Sequence, residues 1–258
     1  MLNLRSASIL MIILAAVVIL LMIFQPHLWW IFLLLTAVYL LMLIAGSFNI
    51  GSNFYLRALC RGTKPEKVLA LTFDDGPDEI ITPKVLAILE KNNIPATFFI
   101  IGKKAEKQVD MIQLIMTKGH LISLHSYDHA FFFDLYRKEK MEQDLLKTEE
   151  IIMKATGKKP LLFRPPYGVT NPTLAKVVKK LGYKVIGWSV RSFDTAIKDA
   201  EKIAGRVIGK LHPGAVILMH DTQNITPEAL EKVIIMAKEE GYRFVGLDEM
   251  FGVEAYKN

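Results

Sequence analysis

Cysteine is almost missing from the chain: Cys60 is the only one in 258 residues, which excludes an internal disulfide, a zinc ribbon and a cysteine-held cluster. Charge is missing from Ile9 to Phe24 and again from Leu28 to Ala45. No basic tract and no interleaving of aromatic with basic residues marks a nucleic-acid surface, and no internal repeat or low-complexity stretch is present. With 52% hydrophobic residues, the chain is too apolar to be a disordered or collagen-like polymer. The apolar excess is concentrated in roughly the first 46 positions. Two different objects are therefore joined end to end.

A bilayer core of ~30 Å requires about 20 apolar residues per helix, with a lower limit of roughly 17, and each uncharged run is near that limit. Gln25, Pro26 and His27 separate the runs. Pro26 lacks an amide hydrogen and interrupts a helix, while Trp29 and Trp30 carry rings suited to a headgroup interface. The pattern predicts a transmembrane helical hairpin over residues 1–48, a juxtamembrane linker over 49–66 and a soluble domain over 67–258. A signal peptide is the competing reading of the first run, but no small-residue cleavage site precedes the second. Cys60 follows Arg57, Ala58 and Leu59, which do not form the small-residue box of a lipid attachment site, so it reads as a plain thiol near the membrane. A hairpin returns the chain to its starting side. Arg5 before it and Arg57, Arg61, Lys64 and Lys67 after it place both ends in the cytoplasm by the positive-inside tendency.

The remaining 192 residues have a net charge of about +3 and suffice for one α/β core. Short apolar runs alternate with amphipathic helical patterns. Strands are expected at 68–73, 96–100, 121–124, 161–163, 184–188, 215–219 and 243–245, and helices at 83–91, 105–118, 139–155, 172–181, 200–210 and 227–240. Seven strands and six helices suit a parallel barrel, although an open doubly wound sheet has the same periodicity. Reactive residues follow the strands in turn: Asp74 and Asp75 the first, His125 and His129 the third, Arg164 the fourth, Asp194 the fifth, His220 the sixth. In a parallel barrel all these positions share one face, where loops converge on a single site.

A bare Asp-Asp-Gly is commonest in solvated turns, and a His-x3-His pair alone arises readily by chance. Side chains that alternate along an extended backbone would let Asp74 and Asp75 divide two tasks. Two histidines with one carboxylate form a metal-ligand set that leaves coordination positions open for water and substrate.

TFDDGPD at 72–78, HSYDH at 125–129, RPPYG at 164–168, RSFDT at 191–195 and LMH at 218–220 resemble, in order and spacing, the five motifs of polysaccharide deacetylases with the NodB-homology domain, the carbohydrate esterase family 4 type. The resemblance covers about residues 66 to 250. It implies a distorted (β/α)7 barrel that removes acetyl groups from sugars with a divalent metal, usually zinc. It makes Asp75, His125 and His129 the metal ligands and Asp74 the base that takes a proton from water. The backbone N–H of Tyr167 would stabilise the oxyanion, and Tyr167 and Pro166 would line the substrate groove. His220 resembles the general acid, Asp194 the carboxylate that orients it, Arg164 the partner of Asp74, and Leu218 the wall of the acetyl-methyl pocket.

Two departures stand out. Leu124 replaces an asparagine common before the first ligand histidine, and Thr195 replaces a tryptophan that walls the groove in many members, which bears on substrate choice. Elsewhere, His120 and His212 read as structural and His27 as interfacial. Asp128 and Asp221 read as loop-orienting, Glu139 to Lys154 as a solvated helix face, and at least two of Phe131, Phe132 and Phe133 are expected to be buried. The implied function is a membrane-anchored, metal-dependent carbohydrate N-deacetylase with an acetylated glycan as substrate. The alternatives are a deformylase or deacetylase of a lipid-linked amino sugar, and a non-catalytic glycan-binding barrel.

Overall fold

The computed structural model describes residues 3–257. Helix α1 (Leu4–Phe24) begins under a capping box in which the Asn3 side chain accepts from the Ser6 amide and Ser6 returns the bond. A tight turn at Pro26–Trp29 leads into α2 (Trp30–Phe48), where the sequence places the break. The two helices pack antiparallel, with a hydrogen bond between the Ser8 and Tyr39 hydroxyls at 2.8 Å. Each is long and apolar enough to cross a membrane, and most of their side chains are exposed.

The rest of the chain follows in the order β1 (Ala58–Leu59), β2 (Val68–Asp74), α3 (Ile81–Asn92), β3 (Ala96–Ile100), α4 (Gly102–Ala105), α5 (Val109–Thr117), β4 (Leu121–Leu124) and α6 (Lys138–Thr156). It continues through β5 (Lys159–Pro160), β6 (Leu162–Phe163), α7 (Pro172–Leu181), β7 (Lys184–Ile186), β8 (Val190–Arg191), α8 (Ala200–Ile208), β9 (Ala215–His220), α9 (Thr226–Glu239), β10 (Arg243–Phe244), α10 (Leu247–Phe251) and β11 (Tyr256–Lys257). The strands form a curled parallel sheet in the order β1-β7-β6-β4-β3-β2-β9-β8, with β10 also on β2. Strands β7 and β8 are two parts of one segment that breaks at Gly187, and they pair at opposite ends of that order. The sheet thus curls into a partial barrel, consistent with the distorted (β/α)7 barrel that the resemblance implies, where periodicity alone left an open doubly wound sheet possible.

Three other differences have clear causes. The expected helix 105–118 is split between α4 and α5, since Glu106 to Gln108 form a turn that re-aims the chain. Strand β11, in no predicted run, pairs antiparallel with β5. The segment 49–66, expected as a linker, supplies β1, which pairs with β7, and Gly62 donates to the Gly214 carbonyl at 2.8 Å. Two-residue strands such as β1 and β11 carry too little period to read, so such pairing is invisible before the fold is known.

The central strands β2, β3 and β9 are buried along their whole length, as parallel strands covered on both faces must be. The main core lies between the sheet and the helices, and a second cluster around Phe99, Ile186 and Val216 fills the inside of the curl.

Candidate active site

Strand β2 ends in Asp74, and its ladder register sets Asp74 opposite Phe99 on β3 and opposite His220 on β9. Two groups that can exchange protons are thus held side by side at one level of the sheet. Asp75 leaves the strand with φ of 71°, a left-handed conformation in which a non-glycine residue is uncommon. Its carbonyl accepts from Lys104 Nζ at 2.9 Å. Because of this turn, Asp74 and Asp75 do not sit on opposite sides of an extended chain, as alternation would have it; both line one cleft.

That cleft has a volume of about 190 Å³ and is lined by Asp74, Asp75, His125, His129, Leu218 and His220, among others. His125 follows β4, and its amide donates to the Ile100 carbonyl. Its Nδ1 is 2.8 Å from the Arg164 carbonyl. A ring N–H donated there leaves the Nε2 lone pair directed at Asp75. The Nε2 atoms of His125 and His129 stand 3.5 and 3.3 Å from Asp75 Oδ1, a buried oxygen with no hydrogen-bond partner. Burial first, then the neighbouring His125, pulls His129 below the usual histidine range, which favours the neutral imidazole that ligation needs. The three residues offer ligand atoms within 4.8 Å of one another. An unpartnered carboxylate oxygen between two imidazoles fits a divalent cation of the zinc class.

Arg164, fully buried after β6, connects the walls of the site. Its Nη1 donates to Asp74 Oδ1 at 2.6 Å and to the Thr72 hydroxyl at 2.9 Å, Nη2 to the Gly187 carbonyl at 2.9 Å, and Nε to that of Ile186 at 3.3 Å. Its guanidinium also lies 4.1 Å from the Phe99 ring centroid. On the opposite side, His220 Nδ1 is 2.8 Å from Asp194 Oδ1, while Asp194 Oδ2 accepts from the His220 amide and the Thr226 hydroxyl. Burial pushes the His220 imidazole down, but the bond to Asp194 and its charge outweigh it and hold the ring above the ordinary histidine range. Burial likewise pushes Asp194 up, and the bonds from His220 and Thr226 outweigh that and hold it low.

Tyr167 occupies a left-handed position with φ of 59° and is half exposed at the rim. The amides after it, of Gly168 and Val169, donate to the Pro165 and Pro166 carbonyls, whereas among the described residues no backbone carbonyl accepts from the Tyr167 amide. Pro166, expected to line the groove, is buried and is not part of the lining. Three residues that sequence reasoning gave no role do line it: Gly168, Trp188 and Arg191. A Cβ on Gly168 would lie 2.4 Å from the Trp188 ring, so glycine is needed for that wall to form. Gly187, a residue that breaks strands, was the available sign that Trp188 leaves the sheet and enters the cleft. With Thr195 also in the lining, Trp188 supplies an indole wall on a different part of the chain.

The remaining expectations divide. His120 is buried, its Nδ1 accepting from the Ala96 amide, and burial lowers it to about 4. His212 is half exposed, outside the cleft. Asp221 is fully buried, accepts from the Thr82 hydroxyl at 2.6 Å, and burial raises it to about 7. Glu149 breaks the solvated face of α6, being buried between Lys159 and the Tyr183 hydroxyl. Of the three phenylalanines only Phe133 is buried; Phe131 and Phe132 are exposed.

Residues 61–186 match the family model for polysaccharide deacetylase. A peptidoglycan-N-acetylglucosamine deacetylase of Bacillus cereus is 38% identical over 187 residues, covering 71% of this chain and 68% of the relative. The chain belongs to the polysaccharide deacetylase family. A crystal structure of a peptidoglycan N-acetylglucosamine deacetylase superposes with a TM-score of 0.74 at 34% identity, covering 78% of this chain and 95% of that one. A Listeria monocytogenes peptidoglycan-N-acetylglucosamine deacetylase is 35% identical over 189 residues, and the match spans 73% of this chain and 40% of the length of that relative. In this member of the family, Asp74, Asp75, His125, His129 and His220 of the motifs line one cleft.

Proposed function

We propose that the chain is a membrane-anchored N-deacetylase of an N-acetylated glycan such as peptidoglycan. The observation that carries this reading is the register pairing of Asp74 with His220 beside the Asp75, His125 and His129 set. A divalent cation held by those three residues would supply Lewis-acid polarisation of the acyl carbonyl and of water. Asp74 takes a proton from the water that adds to the amide carbon. The Tyr167 amide stabilises the charge that develops on the carbonyl oxygen, and Leu218 packs the acetyl methyl group. His220 protonates the sugar nitrogen as the carbon–nitrogen bond breaks, releasing acetate and the free amine. The full chain, purified with zinc or cobalt, is expected to release acetate from N-acetylglucosamine oligomers and from peptidoglycan, and to stop when the cation is chelated. Metal-loaded protein that releases none from either would favour the non-catalytic barrel.

The His220 pair adds a pH dependence. As the acid, His220 must be protonated, and activity falls as pH rises through its pKa. Asp194 holds that pKa up, so Asp194→Asn is expected to move the alkaline limb of the kcat/KM profile to lower pH. An unmoved limb would assign that ionisation to another group.

Anchoring is supported by the exposure of α1 and α2. Only 11% and 0% of their apolar windows are buried, whereas a core helix of a soluble protein would be covered. Arg5, Arg57 and Arg61 favour a second reading, in which the domain is cytoplasmic and the substrate is a lipid-linked amino sugar of the inner leaflet. A reporter fused to the C-terminus that is active only outside the membrane would exclude that substrate.

A further inference from the structure

Outside α1 and α2, the densest exposed apolar surface among the described residues is the turn after His129, where Phe131, Phe132 and Leu135 are 72%, 60% and 71% exposed. Phe133, from the same turn, is buried and fixes it to the core. An apolar patch of this kind on an otherwise polar domain marks an interaction site.

Its surroundings indicate the partner. The Asn171 side chain donates to the Asp134 carbonyl of this turn. The adjacent Thr170 donates through its amide to the Ser47 carbonyl at 3.0 Å and through its hydroxyl to that of Gly46 at 3.3 Å, both at the end of α2. Phe131–Leu135 and the end of the apolar hairpin are therefore bonded to neighbouring residues of one segment, the turn to Asn171 and the hairpin to Thr170. The start of α1 lies at this end too, with the Leu4 amide on the Phe54 carbonyl at 2.9 Å. Arg137, Lys138 and Lys140 follow the turn, all exposed, and none forms an ion pair among the described residues.

We propose that this turn is a second membrane contact. Phe131, Phe132 and Leu135 seat in the boundary between headgroups and acyl chains beside the hairpin, and Arg137 and Lys138 meet lipid phosphates. The proposal rests on the reading of α1 and α2 as a membrane anchor. Aromatic and leucine side chains with flanking basic residues are the usual composition of interfacial anchors, and basic residues near an anionic surface add to the attraction. The ring centroid of Phe131 is 5.9 Å from that of Tyr167, and Tyr167 lines the cleft. The cleft mouth would then open at the bilayer surface, on sugars that are themselves close to the membrane.

The test uses the full chain with Cys60→Ala, reconstituted in vesicles of phosphatidylcholine and phosphatidylglycerol. A nitroxide label is placed in turn at Phe132→Cys, Leu135→Cys, Ile13→Cys on α1 and Ile235→Cys on α9, and relaxation by oxygen is compared with relaxation by a water-soluble nickel chelate. Labels at 132 and 135 are expected to show the oxygen-favoured relaxation of lipid, shifted towards position 13 and away from water-exposed position 235. Water-like values at 132 and 135 with a lipid-like value at 13 would overturn the turn as a membrane contact while leaving the anchor in place. A water-like value at 13 would overturn the anchor and the proposal with it. Labels at 132 and 135 that are water-like in vesicles but become protected on adding an N-acetylglucosamine oligomer would identify the turn as a sugar platform and also overturn the proposal.

Discussion

Asp74→Asn is expected to lower acetate release by roughly 10²–10⁴-fold, the range that loss of a general base produces, while bound cation and fold are unchanged. The substitution preserves shape and an oxygen acceptor for Arg164 Nη1, which now stands 2.6 Å from Asp74 Oδ1, so the hub of the site stays assembled. It removes the capacity to accept a proton. Asp74 Oδ2 is 3.8 Å from His125 Nε2, farther than Asp75 Oδ1 at 3.5 Å, and the three residues that could hold a cation do not include it. Steady-state acetate release and metal analysis on the same preparation check both halves. Unchanged turnover would remove Asp74 as base, and lost metal would place it among the ligands.

Arg164→Met should have the largest effect on stability. The guanidinium is fully buried, and deleting it leaves the Asp74 carboxylate in a dry site without its cation. Breaking a buried pair in this way costs about 3–5 kcal/mol, which in a domain of this size corresponds to a fall in Tm on the order of 10 °C. Activity is expected to vanish as well, since Asp74 loses both its orientation and its cationic partner. The double variant Arg164→Met with Asp74→Asn separates the causes. If the uncompensated carboxylate dominates, the second substitution restores part of the lost Tm without restoring activity. An equal Tm for single and double variants would assign the loss to the bonds that Arg164 makes to the Ile186 and Gly187 carbonyls.

The strand ends were legible because they combine two local signals, an unbroken apolar run and a polar residue immediately after it. Asp74, His125, Arg164 and His220 could all be placed at the ends of strands this way, and β3, β4 and α7 match their expected bounds. What escaped depends on backbone departures from regular geometry. The left-handed turn at Asp75 brings both carboxylates into one cleft, although alternation along an extended chain would separate them. The break at Gly187 ends the expected strand 184–188 early, lets the unexpected β8 join the other end of the sheet, and delivers Trp188 and Arg191 to the site. Phe131 and Phe132 were misplaced for a different reason. Apolar character predicts removal from water, and within the domain they are not removed from it.

Asn53 accepts from the Ala58 amide at 2.7 Å, β1 pairs with β7, and Gly62 seats on Gly214, where a Cβ would come within 2.6 Å of the Gly62 carbonyl oxygen. The domain is therefore not a ball on a string, because its tether is stitched into the sheet before the first long strand begins. A shortened protein that starts after residue 62 would bare the outer ladder of β7, an open edge of the kind that recruits other chains. Removing the hairpin cleanly means cutting upstream of Asn53.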